Sequence, residues 1–514
     1  MKFLIITLIL LLSFSQNNRL VFLYTHFRHG ARAPMAIDEN FTDLVKEKWN
    51  NPGELTGVGQ RMHYLLGLRN RIKYIKNETF LSEKFDPHEI LIFSSNLNRT
   101  IVSVSSQLQG FFPQSSEKGE VLTENQENVA YPGVDVNCDE INNEIKNLNG
   151  AALPNKMTLA PVRMVNDNDK KMNVYDLTEC TEERDQIKKE NRETIPYVVN
   201  FTREYNEKYG ETINKFLGTN NKNFTMLDID EFCDAFLSSY TDQRDLTEFK
   251  KTGLDLKEMN DYCYEYFRVT YLYQFHGDKD KILAHVDSSK LMTELMYYMK
   301  RRLDADITEE DEDSNIKDYS RPKMFMLSGH DSSISADEIL LIRALNLNES
   351  ELFIFPKFAS QLAIEVKTKN DEKKSSYSDY YVVGYIDDKE IFKEDADIFI
   401  NKIEKEIWTE KQVNDFCGFD ETQEIVKNSN DLNNSTNSNS DGSYYFYNSA
   451  KKTKNDNAKT TYKVLMIIFM CLSAILLALS IFLAYKLSQD NNDNSSINKN
   501  INPYNSTNSV KVMK

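Results

Sequence analysis

The strongest constraint on this chain is a design used three times: a short, unbroken apolar run that stops at a polar cluster. Leu20 to Tyr24 breaks into Thr25-His26-Phe27-Arg28-His29-Gly30-Ala31-Arg32-Ala33-Pro34. Ile90 to Phe93 breaks into Ser94-Ser95-Asn96-Leu97-Asn98-Arg99-Thr100, and Met324 to Leu327 into Ser328-Gly329-His330-Asp331-Ser332. Apolar runs without alternation are strands buried on both faces, as in a parallel sheet covered by helices. Thr56 is placed to cap a helix whose apolar positions Val58, Met62, Leu65, Ile72 and Ile75 recur at roughly helical spacing. Asn98 is placed to cap a second, with Val102 and Leu108 inward and Gly110 and Pro113 closing it. This alternation implies right-handed crossovers and an α/β fold with a mixed, mainly parallel sheet. Ligands of such sheets bind outside the carboxyl ends of the strands, where clusters about 300 residues apart in sequence can meet.

The residues expected to converge are Arg28, His29, Arg32, Arg99, His330 and Asp331. Three Arg and two His on a chain of net charge −17 describe a local anion site standing against the global field. That overall charge repels phosphate backbones and argues against nucleic acid as a partner. Guanidinium forks match tetrahedral oxyanions. An imidazole among guanidiniums is pushed towards its neutral, nucleophilic form. Asp331 is the carboxyl beside it, able to protonate a leaving oxygen, which favours an acidic medium. A zinc site built from His26 and His29 with His63 or His88 is the competing reading. No carboxylate or Cys stands at ligand spacing, so no metal and no cofactor are expected.

Both ends of the chain carry membrane signals. Lys2, an apolar run from Phe3 to Leu12 and Ser13-Phe14-Ser15 form a signal peptide, 1–15. Val464 to Tyr485 is a run of 22 uncharged residues, long enough to span a bilayer. The expected layout is a body at 16–425, a polar stalk at 426–463, one span at 464–485 and a short cytoplasmic tail at 486–514. This is the layout expected of a type I membrane protein with a lumenal or extracellular body. Lysines are denser before the span than after it, the reverse of the usual bias, but a large domain translocates regardless of flanking charge. Acceptors at Asn40, Asn77, Asn98, Asn200, Asn223 and Asn348 suit a glycoprotein, although a sugar on Asn98 would block the cleft, so that site should stay bare. Residues 121–276 are rich in helix formers, with Leu254 to Phe267 helical, and read as a helical insertion forming a lid over the sheet's carboxyl edge. Five lumenal cysteines, Cys138, Cys180, Cys233, Cys263 and Cys417, allow two bridges at most and leave a thiol over.

The segment Arg28-His29-Gly30-Ala31-Arg32-Ala33-Pro34 resembles the R-H-G-x-R-x-P signature of the histidine acid phosphatases, and His330-Asp331 resembles their late H-D pair. Leu55-Thr56-x-x-Gly59, followed by Leu66-Gly67 and Arg69, is similar to the family's L-T-x-x-G helix. Arg99-Thr100, Phe355 to Ser360 and Tyr380 to Ile386 resemble later segments, so the likeness covers about residues 20 to 390. The layout is similar to that of the family's membrane-anchored lysosomal members. The resemblance implies a phosphoglycerate mutase-like sheet domain with a smaller helical domain inserted. It implies His29 as nucleophile through a phosphohistidine, with Asp331 as general acid. Arg28, Arg32, Arg99 and His330 would hold the phosphoryl oxygens of small phosphomonoesters, without metal. It also suggests a Cys138–Cys417 bridge. The chain departs from the family before Arg99, where R-S-T-D-x-D-R-T is usual and Phe93 to Thr100 reads F-S-S-N-L-N-R-T. Two further readings stand beside acid phosphatase. A phytase-like phosphatase of inositol phosphates would be favoured by basic residues lining the lid. A catalytically inactive binding protein of the same fold is usually marked by loss of the nucleophile or the acid.

Overall fold

A computed structural model describes residues 18–417 apart from 36–48, 50, 114–120, 133, 135–137, 166–180, 220–222, 278–282, 309–319 and 371. The chain divides into a unit of residues 1–426 and another of 427–514, and the elements described belong to the first. The expected signal peptide, stalk, span and tail lie outside the described residues, among which no helix is long and apolar enough to cross a membrane.

Seven strands form one sheet: β1 (Leu20–Arg28), β2 (Ile90–Ser95), β3 (Arg163–Val165), β4 (Met324–Gly329), β5 (Gln361–Thr368), β6 (Tyr380–Ile386) and β7 (Lys389–Asp395). Their order is β3-β2-β4-β1-β5-β6-β7. The first four are mutually parallel and the last three antiparallel. The three apolar runs are therefore the three neighbouring strands β2, β4 and β1, and every residue in them is buried. Their side chains divide between two cores because both faces are covered. Tyr24, Phe93 and Phe325 enter one core; Leu23, Ile92 and Met326 enter the other.

The principal helices are α1 (Gly57–Arg71), α2 (Asn98–Phe111), α3 (Thr181–Glu193), α4 (Met226–Thr241), α5 (Leu256–His276), α6 (Leu283–Thr308), α7 (Asp331–Ala344) and α8 (Ala396–Glu406). Thr56 caps α1 as expected, its hydroxyl accepting from the Gly59 N–H at 3.2 Å. The face α1 buries is not the expected one. Gly59, His63, Gly67 and Asn70 face inward, whereas Leu65 and Ile72 are 54 % and 56 % exposed. Glycine explains the reversal. A Cβ on Gly67 would lie 2.0 Å from the Gln107 carbonyl, and one on Gly110 equally close to that of Tyr64. The helix pair thus packs backbone to backbone, which only small residues permit. Two details of α2 differ likewise. Leu97 is its cap, and the Asn98 amide donates instead to Glu54 Oε1 at 3.1 Å; Val102 faces solvent while Leu108 is buried.

The insertion has its own apolar core, built on α4 and α5 around Phe232, Phe236, Phe249 and Tyr266. Cys233 and Cys263 join these two helices in a disulfide. The suggested Cys138–Cys417 bridge is not formed. Cys138 caps a surface helix (Asp139–Leu148), exposed and free, and Cys417 is bonded elsewhere. Nor is the insertion wholly helical: β3 falls within 121–276 and extends the sheet beside β2. Its three residues are too few to leave a buried-strand pattern, and two of them are exposed. The helix expected at Leu254 to Phe267 runs instead to His276, capped by Asp255.

Candidate active site

Strand register brings the three polar clusters together. Arg28 at the end of β1 is in register with Gly329 at the end of β4, so His29 and His330 emerge side by side. Their rings are 5.6 Å apart and edge to face. Across β4, Ser94 of β2 is in register with Ser328, and Arg99 and Asp331 follow in the first turns of α2 and α7. Those helix N-termini add a favourable field for an anion. Arg28, His29, Arg32, Arg99, His330 and Asp331 all line one cavity of about 380 Å³. All six sequence candidates are therefore together.

Close packing shapes the loop that carries His29. A Cβ on Gly30 would lie 2.4 Å from the Gly59 carbonyl, so the loop rests directly on the start of α1. Thr56 ties the two by donating its N–H to the Ala31 carbonyl at 2.9 Å, and the Gly30 N–H donates to Ser103 at 3.1 Å. In this setting His29 Nδ1 is 2.9 Å from the Gly30 carbonyl. A carbonyl only accepts, so Nδ1 carries the proton and Nε2 keeps the lone pair. Burial first, then the guanidiniums of Arg32 and Arg28, push His29 well below the usual imidazole range. His330 is pushed the same way by burial and Arg99, and its Nε2 lies 2.9 Å from Ser95 Oγ.

The guanidiniums are held from behind. Arg28 donates to the Pro356 carbonyl at 2.9 Å, pairs with Asp331 at 2.5 Å and stacks 4.3 Å over Phe358. Arg32 is gripped by Asp234 of α4, whose Oδ1 accepts from Nη2 at 2.8 Å and whose Oδ2 accepts from Nη1 at 3.2 Å and from the Met35 N–H at 2.8 Å. Burial alone would raise the Asp234 carboxyl, but Arg32 outweighs it and holds the group below its ordinary value. The Nε–H groups of Arg28 and Arg32 are buried with no acceptor among the described residues. Orphaned donors on buried cations are costly, which fits a site meant for an anion.

The insertion closes the cavity with Arg184, Lys188, Arg192, Asp230, Glu231 and Tyr271 among its lining. Tyr271 donates to Asp331 at 3.4 Å. Arg184 forks onto Asp287 through Nε and Nη2, while Arg192 donates from Nη2 alone to both carboxylate oxygens of Asp230. None of these residues, nor Asp234 or Ser95, stands out in sequence. Their part depends on helices brought over the sheet by tertiary packing, and an Asp within α4 looks like any solvated acidic residue. The histidines weighed for zinc are separated: His26 meets Asp337, His63 meets Gln107 and His88 meets Asp86.

Similarity to known proteins agrees with this geometry. A solved structure of the phytase from Citrobacter braakii superposes with a TM-score of 0.50 at 11 % identity, covering 78 % of this chain and 99 % of that one. Lysosomal acid phosphatase of Xenopus laevis is 35 % identical over 116 residues, 21 % of this chain and 26 % of the relative. Human prostatic acid phosphatase is 39 % identical over 89 residues, 17 % of this chain and 22 % of the relative. The matched segments thus span about a quarter of these curated relatives. The model of the histidine phosphatase superfamily, branch 2, matches residues 19–383, and the chain belongs to that family.

Proposed function

We propose that the chain is an acid phosphatase that hydrolyses phosphate monoesters through a phosphohistidine on His29. The observation that carries this reading is one cavity lined by Arg28, His29, Arg32, Arg99, His330 and Asp331, in which His29 keeps its Nε2 lone pair. His29 Nε2 attacks phosphorus in line, the P–O bond to the leaving group breaks, and Asp331 delivers a proton to the departing oxygen. Arg28, Arg32, Arg99 and His330 hold the non-bridging oxygens as charge spreads over them. Water, deprotonated by Asp331, then attacks the phosphohistidine, releasing phosphate and restoring His29. Because burial and neighbouring cations keep His29 neutral deep into acid, the nucleophile survives at the low pH at which a carboxyl donor works best. The scheme calls for no metal, since guanidiniums supply the positive charge.

The lid bears on the phytase-like reading. Three basic residues of α3 line the cavity, but Arg184 and Arg192 are neutralised by Asp287 and Asp230, which leaves Lys188. That favours esters with one phosphate over highly charged inositol phosphates. His29 and Asp331 are both present in the cavity, which weighs against an inactive binding protein. The Cys233–Cys263 bridge suits an oxidising compartment, in keeping with a body facing the lumen of lysosomes or vesicles, or the cell surface, and anchored by one span.

The test is hydrolysis of p-nitrophenyl phosphate by the full chain and by His29→Ala, across pH and with chelator throughout. Chelator-resistant turnover, highest in acid, should fall by at least about 10³-fold in the variant. Folded parent protein without turnover overturns the reading.

A further inference from the structure

Behind His330 lies a buried polar chain that the phosphoryl-transfer scheme leaves unused. Asp337 of α7 receives three donors. The Tyr24 hydroxyl reaches Oδ2 at 3.2 Å, His26 Nδ1 reaches the same oxygen at 2.8 Å, and the Ser288 hydroxyl donates to Oδ1. Contact with a carboxylate oxygen sets Nδ1 of His26 as the protonated nitrogen. Its other nitrogen, Nε2, lies 3.1 Å from Ser333 Oγ. That hydroxyl accepts from the His330 backbone N–H at 3.1 Å and lies 3.1 Å from the His330 carbonyl oxygen, to which it donates when its proton turns that way. Ser333 has one proton to give, so it accepts from the His330 N–H while donating either to His26 Nε2 or to the His330 carbonyl.

Stability is a poor reason for such a chain. His26 is 0 % and Asp337 1 % exposed, in a core otherwise filled by residues such as Leu327 and Ile334. Apolar residues of similar volume in place of a buried pair are often neutral or stabilising. The Ser–His–Asp order is that of a nucleophile relay, but Ser333 is not among the residues lining the cavity, and its oxygen is committed to the His330 backbone.

We propose that His26 and Asp337 are positioning residues that act through Ser333 to hold His330 and Asp331 towards the phosphoryl group. The proposal rests on the phosphohistidine reading of the site. Arg28 and Arg32 are held by other contacts, so ester binding should survive loss of the chain, while transition-state contact by His330 and proton delivery by Asp331 should suffer.

The experiment uses the full chain in detergent with two substrates, ethyl phosphate and p-nitrophenyl phosphate. The variants are Ser333→Ala, the double replacement His26→Phe with Asp337→Leu, and all three changes combined. The double replacement leaves no buried charge unpaired, and Ser333→Thr tests rescue by a hydroxyl. Expected is a drop in kcat of about tenfold on ethyl phosphate, the worth of roughly one good hydrogen bond. On p-nitrophenyl phosphate, whose leaving group departs without a proton, kcat/KM, which does not include the later attack of water on the phosphohistidine, should fall less than about threefold, and KM for ethyl phosphate should stay within about twofold. The combined variant should lose no more than the worse of its parents, because the residues act in series. A kcat on ethyl phosphate within twofold of the parent in folded variants overturns the proposal. So do equal losses on both esters, losses that multiply, or a Ser333→Thr variant no better than Ser333→Ala. Should the double replacement fail to fold, the Ser333 pair decides alone. His29→Ala in the same assay reports on the underlying reading: turnover that survives it brings down that reading, and this proposal with it.

Discussion

The sheet edge and the helical insertion reach the same cavity by different means. At the sheet edge, position comes from the main chain: parallel register sets His29 beside His330, and a loop with no room for a Cβ seats His29 on α1. In the insertion, position comes from ion pairs between long side chains, Asp234 with Arg32, Asp230 with Arg192 and Asp287 with Arg184. Register and backbone contact are hard to shift without unfolding something. A side-chain pair is held by about 1–3 kcal/mol and can be changed singly. The difference teaches that chemistry should be invested in the rigid edge and selectivity in the adjustable lid.

The largest expected effect that would break the comparison comes from glycine. Gly30→Ala drives a methyl into the Gly59 backbone and should cost about 1–3 kcal/mol while moving His29, so kcat/KM falls by more than about 100-fold. Gly67→Ala makes a still closer clash, 2.0 Å against 2.4 Å, but away from the cavity. It should lower the midpoint of thermal unfolding with kcat/KM of the folded fraction within about threefold. If the two variants lose activity alike, the edge is not where precision resides.

Next comes Asp234→Ala, which frees Arg32 from its fork. KM for p-nitrophenyl phosphate should rise about tenfold with kcat changed less than threefold, because the group lost orients a binding cation. A fall in KM would show instead that Asp234 competes with phosphate for Arg32, which would sharpen the picture of the lid.

A smaller effect is expected for Lys188→Gln. With one phosphate on the substrate, kcat/KM should change less than about twofold; with a second anionic group near the lid, it should drop about three- to tenfold, as befits one partly exposed cation. Equal response to both kinds of ester would remove Lys188 from any part in selectivity.

The gentlest test concerns pH. His63, buried beneath the loop and contacting Gln107, is lowered to about 4 by burial. A histidine whose pKa is depressed on folding leaves the unfolded chain binding more protons, so stability rises with pH. That contribution is complete above about 6.5 and declines as pH falls towards about 4. His29 and His330 act in the same direction. Urea midpoints measured from pH 7 to pH 4 should therefore decrease, and His63→Gln should flatten the slope. A midpoint that climbs in acid would contradict the burial of these rings in neutral form.

Much of this protein is legible in its amino-acid sequence. The apolar runs at residues 20, 90 and 324 read as doubly buried strands, because unbroken apolar sequence cannot face water on one side and four or five residues are short for a helix. Parallel strands then place whatever follows them at one edge, so the polar clusters had to meet, and six residues for the anion site follow from residue type alone. Periodicity failed where glycine intervened. In α1 the apolar stripe at Leu65 and Ile72 faces out, because hydrophobic spacing registers side-chain volume and is blind to a backbone contact made through Gly67. Composition likewise could not pair cysteines, since a bridge depends on Cα positions that helices α4 and α5 set only after packing. What tertiary structure alone decided is the second layer of the site. Asp234 on Arg32, Ser95 on His330 and His26 with Asp337 behind Ser333 are contacts between residues far apart in the chain. Each is an ordinary polar residue in its local sequence, and its meaning comes from the partner that folding brings within about 3 Å.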